Sequence, residues 1–195
     1  MFFIRTESFQ QFLKFYPVVS TIVAIHLILY ILTSISIDLE RMLSGINFFI
    51  ADGEYWRLVT PIFVHLSLPH VLFNSFSLIL FGPALESMLG KFKFILTYLT
   101  IGILANVAYF YLGSDLVQHA GASGAIYGLF GLYGYMIFAR RDLIDSQSVQ
   151  IVVVFIIIGL LTSFGPGINF IAHIFGFIIG VALGPIIIDR IRPNY

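Results

Sequence analysis

Residues 121–139 read GASGAIYGLFGLYGYMIFA, a run without a single charge in which glycine recurs at 121, 124, 128, 131 and 134. The run approaches the ~20 residues needed to cross a hydrocarbon core. Intervals of three and four place the glycines on one side of a helix, and such a stripe lets another helix backbone approach closely in lipid. Residues 172–184, AHIFGFIIGVALG, supply a matching surface, because Ala172, Gly176, Gly180 and Gly184 follow one another at intervals of four. Both stripes let helix backbones approach closely in a bilayer, and the two could face each other.

The rest of the chain agrees with a membrane location. Of 195 residues, 59% are apolar and only 10% charged, too little polar surface to cover a soluble globule of this size. There is no cysteine, which excludes disulfides and thiolate chemistry. Apolar stretches long enough to span occur at 17–36, 70–89, 93–112, 122–139, 148–165 and 169–188. They predict an all-α, six-span bundle forming one membrane domain over residues 1–195, with no internal repeat. No small-residue cleavage site follows the first apolar tract, so it reads as a retained helix rather than a signal peptide. Basic residues gather on alternate connections, at Arg5 and Lys14, Lys91 and Lys93, Arg140 and Arg141, and Arg190 and Arg192, against Arg41 and Arg57 on the other side. The positive-inside rule then puts both termini in the cytoplasm, and spans two, four and six run inward from the outer face. The connection at 37–69 is too apolar and aromatic for disorder; short amphipathic pieces lying in the outer interface, with Tyr55 and Trp56 at headgroup level, are expected there.

Against this apolar background the polar residues stand out. Ser123, taken alone, is one more small residue in a glycine stripe. His173 lies on the same side of its helix as Gly176 and Gly180, and a buried imidazole needs a hydrogen-bond partner. Both residues fall within about two turns of the outer ends of inward-running spans, a depth of roughly 0 to 10 Å. His70 and Asn74, one turn apart near the outer end of span two, can donate hydrogen bonds at that level, as an oxyanion hole requires. Every carboxylate falls at a connection or near a helix end, so a Ser-His dyad rather than a triad is the expected chemistry. Tyr127, one turn from Ser123, is either a partner for the imidazole or an ordinary core aromatic.

Taken together, GASG with Ser123, AHIFGFIIG with His173, HVLFN with His70 and Asn74, and the Trp56–Arg57 pair resemble the rhomboid family of intramembrane serine proteases, over about residues 45–185. The resemblance implies Ser123 as nucleophile and His173 as general base, with Tyr127 stacked on the imidazole. It further implies an oxyanion hole from His70, Asn74 and the Ser123 N–H, and freedom from Gly121 for the loop that aims it. Trp56 and Arg57 would stabilise the first loop, Glu86 a structural network near the inner end of span two, and His65 fills a position often occupied by histidine in the family.

The substrates implied are other membrane proteins, cut near the outer face in or beside a transmembrane helix, with the bilayer as the medium and no cofactor, metal or nucleic acid. A bacterial plasma membrane is the expected location. Residues 163–169, SFGPGIN, form either a mobile cap above His173, with span five as the neighbouring gate, or a plain tight turn. A catalytically silent binder of membrane clients is the alternative, although such relatives typically lack the serine or the histidine. An ion pathway is disfavoured because no carboxylate or lysine lines a span at mid-membrane, and a histidine metal site because compact ligand spacing is missing.

Overall fold

A computed structural model describes residues 3–4, 6–165 and 167–191. Arg5 and Arg192 of the charge pattern and Pro166 of the 163–169 stretch lie outside the described residues. A short amphipathic helix, α1 (Phe9–Phe15), precedes the long α2 (Pro17–Ile35). The connection that follows folds into α3 (Ile37–Leu43), α4 (Asn47–Ala51) and two single 3-10 turns, Tyr55–Leu58 and Thr60–Ile62. Then come α5 (Leu68–Leu89), α6 (Lys91–Leu112), α7 (Ser123–Ala139), α8 (Ser146–Thr162) and α9 (Phe170–Ile187). The described residues contain no strand, only an isolated bridge between Gly45 and His119. Helices α2, α5, α6 and α9 are long and apolar enough to cross a membrane; α7 and α8 are apolar and shorter.

Local chemistry explains the boundaries. Ser67 caps α5, its side chain accepting from the His70 N–H, with Pro69 in the first turn. Gly90, at φ 75°, takes the left-handed turn that ends α5 and starts α6 without a linker. Asp145 caps α8 by accepting from the Ser148 N–H at 3.0 Å, and Asn169 caps α9 by accepting from the Ala172 N–H at 2.9 Å. Helix α8 stops at Thr162, short of the 165 expected, because the Gly165 N–H turns back onto the Thr162 carbonyl.

Helix α7 runs through the middle of the molecule with every residue from Gly124 to Gly134 buried, packed against α9, α6 and α5. Its contact with α9 is the most extensive between any two helices. A Cβ at Gly176 would collide with the carbonyl of Gly124, one at Gly180 with the carbonyl of Gly128, and one at Gly131 with the carbonyl of Phe177. The two stripes thus meet backbone to backbone, which only glycine permits. Around them Phe81, Leu85, Phe94, Tyr98, Ile101, Leu129 and Leu132 form a fully buried core, tied across helices by the Tyr133 hydroxyl donating to the Phe81 carbonyl at 2.7 Å.

Candidate active site

Ser123 is the first residue of α7, and the segment that delivers it is fixed by Gly121. That glycine has φ 123°, a conformation that L side chains rarely adopt, and its N–H donates to the Pro61 carbonyl at 2.8 Å. A Cβ there would also stand 2.5 Å from His70 Nε2. Glycine is required twice, for the turn and for the approach of the imidazole. No side chain caps α7, since its N-cap residue is Ala122. The first-turn N–H groups, including that of Ser123, are thus left without intrahelical partners beside the serine hydroxyl; oriented donors of this kind attract negative charge.

His173 sits in the first turn of α9, four residues past the Asn169 cap and buried but for 7% of its surface. Its ring lies face to face with Tyr127, centroids 4.1 Å apart and planes 11° from parallel. Nδ1 is 2.7 Å from Ser163 Oγ. Ser163, at the end of α8, is itself 2.9 Å from the Tyr127 hydroxyl and donates to the Gly159 carbonyl at 2.7 Å. The opposite nitrogen, Nε2, makes no hydrogen bond among the described residues. Among the described residues no hydrogen bond joins Ser123 to His173. Their helices nonetheless touch beside them, since a Cβ on Gly124 would stand 3.6 Å from that of Ala172 and one on Gly176 would strike the Gly124 carbonyl. Ser123 and His173 therefore lie at the same end of the α7–α9 crossing.

On the other side of Gly121, His70 begins an edge-to-face column of imidazoles. His65 lies 4.9 Å from His70 and His26, on α2, lies 4.6 Å from His65. His26 and His65 are buried, and the surroundings of His65, burial first and then the neighbouring His26 and His70, push its imidazole well down and keep it neutral. Asn74 is buried, and its amide donates at 3.0 Å to the His70 carbonyl on its own helix, which occupies one of its two N–H groups.

The remaining expected residues make their contacts elsewhere. Trp56 donates from Nε1 to the Met42 carbonyl at 3.3 Å. Buried Arg57 donates to the carbonyls of Arg41 and Ser44, pairs with Glu54, and stacks over Phe49. Together they fold the first loop onto itself. The Glu86 carboxylate, buried, accepts from the N–H groups of Val18 and Val19 at 3.0 and 2.8 Å, closing the start of α2. His119 pairs backbone to backbone with Gly45, which ties the loop to the lead-in of α7. Phe164 of the 163–169 stretch meets the ring of Phe170, the first residue of α9, at 4.7 Å, and Gly167 takes φ 75°. Two residues at the site escape sequence reasoning: Ser163, which reads as a loop residue among glycines, and His26, a lone histidine on an apolar span.

Similarity to known proteins follows the same residues. The Rhomboid domain family model matches residues 52–190. The chain is 41% identical, over 99% of its own length and 100% of the other's, to the Bacillus subtilis protein named "Putative rhomboid protease YdcA". It is 39% identical to rhomboid protease GluP of the same bacterium, covering 69% of this chain and 26% of that one. It is also 33% identical to Rhomboid-like protease 2 of Toxoplasma gondii, covering 68% and 47% respectively. With the domain match extending over most of the chain and a relative matched end to end, this protein belongs to the rhomboid family of serine proteases.

Proposed function

We propose that the protein is an intramembrane endopeptidase that cuts transmembrane segments of other membrane proteins close to the outer face, using Ser123 and His173 as a dyad. On this reading α2, α5, α6, α7, α8 and α9 all cross the bilayer as one domain, with both termini in the cytoplasm and the outer ends of α5, α7 and α9 gathered at the site. The observation that carries it is the environment of His173. Its Nδ1 and its ring face are occupied by Ser163 and Tyr127, its Nε2 makes no hydrogen bond among the described residues, and Ser123 stands on the adjoining uncapped helix end.

In this mechanism Nε2 takes the hydroxyl proton as Ser123 Oγ attacks the scissile carbonyl carbon. The carbonyl oxygen becomes an oxyanion held by the Ser123 N–H, His70 and the free N–H of Asn74. The imidazolium then returns its proton to the departing amine, leaving an acyl-enzyme. Water, deprotonated by the same nitrogen, attacks the ester and frees Ser123. A peptide carbonyl inside a substrate helix is already hydrogen-bonded, so the substrate must unwind locally, and small or helix-breaking residues near the cut assist.

The test is cleavage of a fluorescent single-span substrate by purified protein in liposomes, beside Ser123→Ala and His173→Ala. The parent is expected to cut and both variants to be inactive, with a fluorophosphonate probe labelling the parent and not Ser123→Ala. Cleavage that survives in either variant removes the dyad.

A further inference from the structure

The Ser163 hydroxyl has one proton and three partners. Gly159 O, at 2.7 Å, can only accept. His173 Nδ1, at 2.7 Å, and the Tyr127 hydroxyl, at 2.9 Å, can each donate or accept. One distribution of protons makes all three contacts attractive. Ser163 donates to the Gly159 carbonyl, and its two lone pairs accept from Nδ1–H and from the phenol. If Ser163 donated to Nδ1 instead, its oxygen would face the Gly159 carbonyl oxygen at 2.7 Å with no proton between them, in a buried pocket where Ser163 is 1% exposed.

We infer that Ser163 is a positioning residue that holds His173 as the Nδ1–H tautomer, leaving the lone pair of Nε2 as the base. The inference rests on the reading of His173 as general base for its consequence in catalysis, but not for the tautomer itself. Ser163 fills from α8 the place that a carboxylate holds in a triad: it fixes the ring and its tautomer, although as a neutral acceptor it gives the imidazolium less electrostatic support. The same serine also ties the end of α8 to α7 through Tyr127 and to α9 through His173, so three helices meet at one hydroxyl.

The experiment is nitrogen NMR of 15N-histidine-labelled full-length protein in liposomes at neutral pH, with the His173 signals assigned by their loss in His173→Ala. The parent should show a protonated Nδ1 and a bare Nε2. Tyr127→Phe, which removes a donor to Ser163 but not its acceptor on Gly159, should leave that pattern unchanged. So should Ser163→Thr, which keeps a hydroxyl. Ser163→Ala should mix the two tautomers and lower kcat roughly five- to tenfold with KM unchanged, the range expected for one neutral hydrogen bond, and Ser163→Thr should recover the rate. A parent with the proton on Nε2 overturns the inference without any variant. So does a Ser163→Ala protein that keeps both the parental tautomer and the parental kcat. If instead Ser123→Ala and His173→Ala cut like the parent, the dyad falls while the spectrum still decides the tautomer.

Discussion

The α7–α9 seam and helix α8 are built to opposite specifications. Along the seam backbone meets backbone, and all of α7 from Gly124 to Gly134 is buried. Helix α8 buries only Ser148 and Val152, packs mainly on α7, and turns Val154, Ile157, Ile158 and Leu161 outward. A crossing with no side chains between the chains cannot slide without collision, whereas a helix held by a few side chains can tilt at small cost. The proposed nucleophile and the proposed base, Ser123 and His173, are carried by the α7–α9 pair. The residue argued to orient the base comes from the loose helix.

The sharpest way to break this contrast is to put side chains into the seam. Gly180→Val must displace the Gly128 carbonyl, which no rotamer change can relieve, and should destabilise the protein by about 3 kcal/mol and abolish cleavage; denaturant unfolding in detergent measures the first and a substrate assay the second. A loss below about 0.5 kcal/mol, the level of a neutral surface change, would show that the seam is not rigid.

The lead-in to α7 adds a dependence on pH. Burial pushes the His119 imidazole down to about 4 from the ordinary 6.5. The unfolded chain therefore binds this proton more readily than the folded one between those values. Stability is full above about 6.5 and falls as pH drops toward 4, by about 3 kcal/mol. His119→Gln should flatten the profile in that window, read as the unfolding midpoint against pH.

Smaller effects belong to α8. A Cβ at Gly159 would stand 2.7 Å from the Tyr127 hydroxyl, and α8 can move away from it. Gly159→Ala should therefore cost less than about 1 kcal/mol while reducing kcat severalfold through the disturbed Ser163 contacts; an effect on stability as large as that of Gly180→Val would erase the distinction between the two regions. Smallest is Leu161→Ala, 69% exposed, which should move the unfolding free energy by less than about 0.5 kcal/mol. Backbone hydrogen exchange should likewise run faster in α8 than in α7.

How far the chain announces this arrangement differs by residue. The glycine spacing exposes the seam because lipid rewards small residues at fixed helical intervals, and Ser123 and His173 are conspicuous because polar groups are costly in that setting. Ser163 carries no such signal. It lies ten residues before His173 in a glycine-containing turn, where serine is an ordinary loop residue, and its contacts depend on where the end of α8 comes to rest. His26 is illegible for a related reason: its neighbour His65 belongs to the irregular first loop, whose path no periodicity encodes. Asn74 reads as a donor to the site, yet the sequence is silent on the turn of its amide toward its own helix.

One omission at the start of α7 has a cost that the enzyme keeps. A serine or aspartate in place of Ala122 would be the ordinary way to finish a helix, worth about 1 kcal/mol. On the proposed mechanism its oxygen would lie over the same amides that the acyl oxygen must reach, and the protein would carry an inhibitor of its own reaction. The alanine leaves those amides uncapped beside Ser123, at the cost of that stability.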